Sequence, residues 1–253
     1  LEHSSGLPLC GRSDRKENTM SEFRTDTGQQ GLALPPRGER AFGGYATARD
    51  QTRAVFGQVM GLVALTVGCA TLGAYLARNF SVGTGIALFV AAFACIIGLN
   101  VASSRGREQL AIGFLFGLGL LLGAAVGPVL SVYARTDPAA LWQATGATAG
   151  FVALLGTLGY ATRRDLSAWA RALFWALLGL IAFGIVLLFV SIPHANIIYG
   201  VLGLVVFGGF TIFDFNRLRR AGSESAVSIA ASIFLDIFNV FLLFLELFGG
   251  ERE

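Results

Sequence analysis

The chain has 253 residues, 54% of them hydrophobic and only 14% charged, with a net charge of +3 and a mean hydropathy of +0.65. Soluble domains are about one-quarter charged, so water is excluded as the solvent for most of this chain. Its basic residues sit in short breaks between apolar runs, not along one helix face, which argues against a nucleic-acid-binding surface.

Residues 1–41 are polar and broken by Gly, Pro and charge, and are expected to form a disordered tail, part of it upstream sequence. Met20 is the first methionine, and the first apolar run begins near Ala54, too late for a cleaved leader. Residues 42–250 read as an all-α membrane domain. Seven apolar stretches, near 54–77, 81–101, 109–134, 140–160, 169–191, 195–216 and 226–248, can each cross the bilayer, which takes about 20 residues at 1.5 Å apiece. The breaks are chemically plain: Arg78-Asn79, then Ser103 to Glu108, then Arg135 to Pro138, with Pro193 making a tight hairpin between the fifth and sixth helices.

Arginine sets the orientation. With the N-terminus cytoplasmic, the inner loops and flanks after the first span hold Arg105, Arg107, Arg163, Arg164, Arg171, Arg217, Arg219 and Arg220, and the outer ones only Arg78, Arg135 and Arg252. Helices 3 and 6 are rich in glycine, which lets helix backbones approach closely where lipid supplies no hydrophobic force. Cys10, Cys69 and Cys95 show neither CxxC spacing nor a neighbouring His, so they read as small hydrophobes without a disulfide framework or zinc site. The heptapeptides GYATARD (44–50) and GYATRRD (159–165) agree at six of seven positions. The similarity stops there, so they are read as a shared interfacial cap and not as a duplication.

Within the seven spans the only acids are Asp214, Asp236 and Glu246. A charge at the bilayer centre costs at least a few kcal/mol, which makes such residues functional candidates. In helix 7, Asp236, Asn239, Leu243 and Glu246 follow i, i+3, i+7 and i+10 and so share a face. Each residue also has a bland reading. Asp214 could pair with Arg217 one turn on, Asp236 could be a neutral tie between helices, Asn239 could join helices, Glu246 is close to the outer end, and His194 sits in a loop.

Together, Asp214 and Asp236 suggest a pH sensor and ion gate. Two carboxyls in apolar surroundings titrate as a unit. Protonated, they share a hydrogen bond; deprotonated, they repel and take a cation such as Ca²⁺, a hard ion suited to carboxylate oxygen. Arg105 and Arg217 are candidate latches on the inner side, with Asn239 as support. Depth is the obstacle, because Asp214 lies close to the interface whereas Asp236 is ten residues beyond Ala226, about 15 Å along the helix.

The stretches TIFDFNRLRR (211–220) and SIFLDIFNVFLLFLELFGG (232–250), with GYATRRDLS (159–167) and the seven-span layout, resemble the Bax inhibitor-1 family over roughly residues 42–250. The resemblance implies a central helix 7 wrapped by helices 1–6 and a passive, pH-regulated Ca²⁺ leak sensed by Asp214 and Asp236. No acid is present in the apolar run of helix 2, so any further carboxylate on an ion path would come from elsewhere. The partners expected are the lipid bilayer, Ca²⁺ and H⁺, with no cofactor, a monomeric state and a bacterial plasma membrane.

Other classes were weighed. An intramembrane aspartyl protease needs a Gly-x-Gly-Asp context, and Ile233-Phe234-Leu235-Asp236 is too bulky for it, so no enzymatic activity is expected. A retinal protein needs a helical lysine, and the only lysine is Lys16. A proton-coupled cation exchanger and a non-transporting regulatory membrane protein remain as alternatives.

Overall fold

In lipid every backbone polar group needs a partner inside the protein, which leaves helices as the economical solution for apolar runs of this length. A computed structural model describes residues 37–190, 193–221 and 226–250 and places seven helices in them. They are α1 (Arg37–Leu76), α2 (Val82–Ser104), α3 (Glu108–Thr136), α4 (Pro138–Ala161), α5 (Trp169–Leu187), α6 (Ala195–Arg219) and α7 (Ala226–Gly249). All seven are long and apolar enough to cross a membrane, α1 through its segment Arg53–Leu76.

The helix boundaries have local causes. The Ser81 hydroxyl accepts from the Thr84 N–H at 3.4 Å and opens α2. Asp137 does the same for Ala140 at 3.2 Å, with Pro138 in the first turn of α4 where its missing N–H costs nothing. Gly106 turns the chain from α2 into α3 with a φ of 67°, a left-handed value that glycine adopts without strain.

The chain divides into two units, Leu1–Ala46 and Thr47–Glu253. The expected tail lies outside the described residues as far as residue 36, and α1 starts at Arg37, well ahead of the apolar run. Pro36 immediately precedes that start, and no proline interrupts the residues that follow. The two heptapeptides therefore do not form a shared cap. Gly44–Asp50 belongs to α1, whereas Gly159–Ala161 closes α4 and Thr162–Asp165 is loop.

Within the second unit, α1 and α3 meet backbone to backbone. A Cβ on Gly123 would overlap the Ala70 carbonyl oxygen, and on Gly119 and Gly127 it would come within 2.6 Å of the carbonyls of Thr66 and Ala74. These three glycines, one turn apart, form the seam. Helix α7 packs against α2, α3, α4 and α6 and supplies buried side chains to every hydrophobic cluster, from Val227 and Ile233 through Phe234 to Leu245. The hydroxyls of Ser103 and Ser228 lie 3.0 Å apart and tie the end of α2 to the start of α7. Helix α5 packs on α6, and only 6% of its apolar window is buried, against 50% for α7.

Candidate functional site

The last turns of α6 are buried on one side through Thr211, Asp214, Phe215 and Leu218, and α7 brings Asp236 to the same place. The two carboxyl groups share a hydrogen bond. Asp214 is 4% exposed and Asp236 5%, so the pair is sealed from both water and lipid. A hydrogen bond between two carboxyl groups needs a proton on one of them. The Oδ2 atom of Asp236 is buried with no hydrogen-bond partner among the described residues.

The contact resolves the problem of depth. Asp214 precedes the end of α6 at Arg219 by five residues, and Asp236 follows the start of α7 at Ala226 by ten, distances of about 7 Å and 15 Å. Helices running parallel from one common plane would miss each other. Their offset or inclination, which residue spacing does not encode, brings the acids together.

The supporting residues proposed from sequence are placed unevenly. Arg105 is exposed beyond the end of α2, and no ion pair or hydrogen bond joins it to either aspartate among the described residues. Arg217 is half-buried in the last turn of α6. The Asn239 amide donates to the Leu235 carbonyl of its own helix at 2.7 Å, so this bond does not join two helices. Glu246 is half-buried further along α7, and His194 opens α6 in a left-handed conformation with φ 58°.

No group of three or more His, Cys, Asp or Glu side chains able to hold a metal occurs among the described residues. Two carboxyls are too few to keep a resident Ca²⁺, which takes six to eight oxygens.

A second cluster escaped the sequence reading. Asn216, two residues after Asp214 and fully buried, donates its amide to the carbonyls of Gly159 at 3.3 Å, Thr162 at 2.7 Å and Arg164 at 3.2 Å. The Arg219 guanidinium donates to Thr162 O at 2.6 Å, and Arg220 forms an ion pair with Asp165. The end of α6 therefore clasps the α4–α5 loop. Asp165 also accepts from the Ser167 hydroxyl at 2.5 Å and its N–H at 2.8 Å. These two bonds, more than Arg220, lower its pKa from 3.8 to about 2. The available signal was the run Arg-Arg-Asp-Leu-Ser, whose Asp and Ser two residues apart suit an Asx turn.

A family model described as "Inhibitor of apoptosis-promoting Bax1" matches residues 52–253. Inner membrane protein YbhL of Escherichia coli K12 is 27% identical over 179 residues, covering 66% of this chain and 75% of that protein. A Helicobacter pylori protein (strain 26695) is 28% identical over 184 residues, 71% of this chain and 79% of its own length. A membrane protein of Streptococcus pyogenes serotype M1 is 26% identical over 212 residues, 77% and 91% of the two chains.

Proposed function

Since the chain belongs to the Bax inhibitor-1 family, through a family-model match over residues 52–253, we propose that it is a pH-sensitive Ca²⁺ leak gated by Asp214 and Asp236. The observation that carries this reading is the hydrogen bond between two carboxyls buried to within 5% of full enclosure. While a proton is shared, the pair pins α6 to α7, and the conformation described is the closed one. Removing the proton leaves two like charges in contact in a medium of low dielectric, where repulsion is strong. The helices then separate, and the Asp236 Oδ2 atom, without a hydrogen-bond partner when closed, becomes an oxygen ligand for a passing cation.

The protein is read as lying in a bacterial plasma membrane with its N-terminus cytoplasmic. This rests on the arginine bias and on the ends of α2, α4 and α6 meeting the start of α7, which puts the arginine-rich breaks at the same end of the bundle as the clasp. The gate then lies nearer the cytoplasmic mouth.

The test is Ca²⁺ flux into liposomes holding the purified protein, at fixed Ca²⁺ gradient between pH 6 and 8. Flux rises with pH, by at most about tenfold per pH unit if one proton is released on opening. Asp214→Asn keeps a hydrogen-bonding partner for Asp236 but removes one titrating site, so its profile flattens. A wild-type profile reproduced unchanged by both Asp214→Asn and Asp236→Asn would sink the sensor assignment. Flux that saturates and follows the pH gradient would make the protein an exchanger, and absence of flux a regulatory protein.

Asp165 provides an internal control. Its pKa is lowered on folding, so it stabilises the loop at pH above 3.8 and loses that effect only as pH falls toward 2. It stays ionised throughout the assay range. Asp165→Asn therefore leaves the shape of the flux profile between pH 6 and 8 unchanged, and a shifted profile would move the sensor to the loop.

A further inference from the structure

A groove runs the length of the membrane segment between α1 and α4, floored by α7 from its Arg53 end to its middle and by α3 from the middle to the other end. It consists of three adjoining cavities of about 670, 370 and 880 Å³. The first and second share Thr148, Ala149 and Ile237 as walls, and the second and third share Ala74, Leu130 and Thr145. The groove starts at Arg53 in α1 and ends at Arg78, in the turn two residues beyond α1; the helix from Arg53 to Leu76 alone spans about 35 Å. That exceeds the roughly 30 Å of a bilayer's hydrocarbon, so both ends reach headgroup level.

The two ends differ. At the far end Arg78 and Arg135 line the mouth together with Asn79 and Ser131. Both arginines are exposed, and neither forms an ion pair among the described residues. Arg78 lies over the Tyr75 ring at 4.3 Å, which fixes its direction. Trp142 completes the rim, an aromatic suited to headgroup depth. Below this rim the walls turn apolar, with Gly123, Val126, Phe238 and Phe241. A double positive charge above a narrow apolar slot matches an amphiphile with an anionic head and a hydrocarbon tail, because guanidinium groups are well suited to phosphate.

We propose that this groove is a binding site for an acidic phospholipid, its phosphate between Arg78 and Arg135 and one acyl chain lying in the slot against α7. The tail touches the face of α7 that carries Phe234, Ile237, Phe238 and Phe241, the helix that also holds Asp236. An occupied slot fills the space between α1, α4 and α7 and holds α7 in its present position. The two charged residues that line the mouth are both positive, and the adjoining Asp137 is engaged in capping α4, which separates an acidic lipid from a zwitterionic one with the same tails.

The experiment measures binding of phosphatidylglycerol and phosphatidylcholine with identical chains to the full-length protein in detergent, by native mass spectrometry and by the shift in thermal unfolding. Phosphatidylglycerol is retained and raises Tm, whereas phosphatidylcholine is not retained. In the double variant Arg78→Gln with Arg135→Gln, affinity for phosphatidylglycerol falls roughly tenfold or more, while Tm in detergent alone is unchanged. Thr145→Phe, placed where the mouth meets the slot, blocks the tail and lowers binding with both arginines present. Equal retention of the two lipids overturns the proposal, as does undiminished binding in the double variant. Protection by inorganic phosphate alone, equal to that by phosphatidylglycerol, overturns the commitment to a lipid.

Discussion

Gly123→Leu unfolds the protein at a temperature roughly 10 °C lower than wild type, the equivalent of about 3 kcal/mol or more. The reason is local. The missing Cβ leaves room for the Ala70 carbonyl oxygen, and no rotamer of leucine avoids the overlap because the Cβ itself is the clashing atom. Relief requires α1 and α3 to move apart, and that also strips the contacts at Gly119 and Gly127 along the same seam. Gly113 on the same helix is exposed and has nothing within 4 Å of its Cβ position. Gly113→Leu therefore leaves Tm within a few degrees of wild type. Thermal unfolding of detergent-solubilised protein, followed by loss of the monodisperse peak, separates the two; equal shifts would mean that glycine content, not the seam, matters.

The second large effect is at Asn216. Its amide offers two hydrogens to three carbonyl oxygens, so one hydrogen is shared. Asn216→Leu has similar volume but removes this donor from the carbonyls of Gly159, Thr162 and Arg164; Thr162 keeps the Arg219 guanidinium, and the cost is about 1–3 kcal/mol for each of the other two left without a partner. Asn216→Asp is worse, because it sets an acceptor against three acceptors. Proteolysis supplies the readout: cleavage within residues 162–168 speeds up by at least about tenfold in Asn216→Leu, as a loss of 1.4 kcal/mol requires when cleavage follows the open population. Arg220→Gln, which breaks the exposed pair with Asp165 and a long 3.4 Å bond to the Asn216 carbonyl, changes the rate little. Similar acceleration in both variants would make the ion pair, not the amide, the main fastening.

What the sequence disclosed depended on the kind of physics involved. The spans were legible because hydropathy and arginine-marked breaks act over whole segments: the stretches expected at 195–216 and 226–248 appear as Ala195–Arg219 and Ala226–Gly249. The start of α1 was not, because Arg37–Gln51 is polar and helical at once, and apolar content was the only guide. Asp214 and Asp236 stood out through the cost of placing charge in lipid. Their contact stayed hidden, since it depends on how two helices are offset. Asn216 was overlooked for the opposite reason: in Phe-Asn-Arg-Leu-Arg-Arg it looks like part of a wet helix end, and its burial comes from a loop more than fifty residues away in sequence.

The union of Asp214 with Asp236 also bears on biosynthesis. Helix α6 is made before α7, so Asp214 enters the bilayer while its partner is still in the ribosome. For that interval the nascent chain lacks the Asp236 carboxyl that Asp214 meets in the finished protein, and insertion of α7 supplies it. The same residue pair that is read as a gate in the finished protein thus rewards arrival of the final described helix. A chain arrested before Ala226 lacks α7 and with it the Asp236 carboxyl that Asp214 meets in the complete bundle.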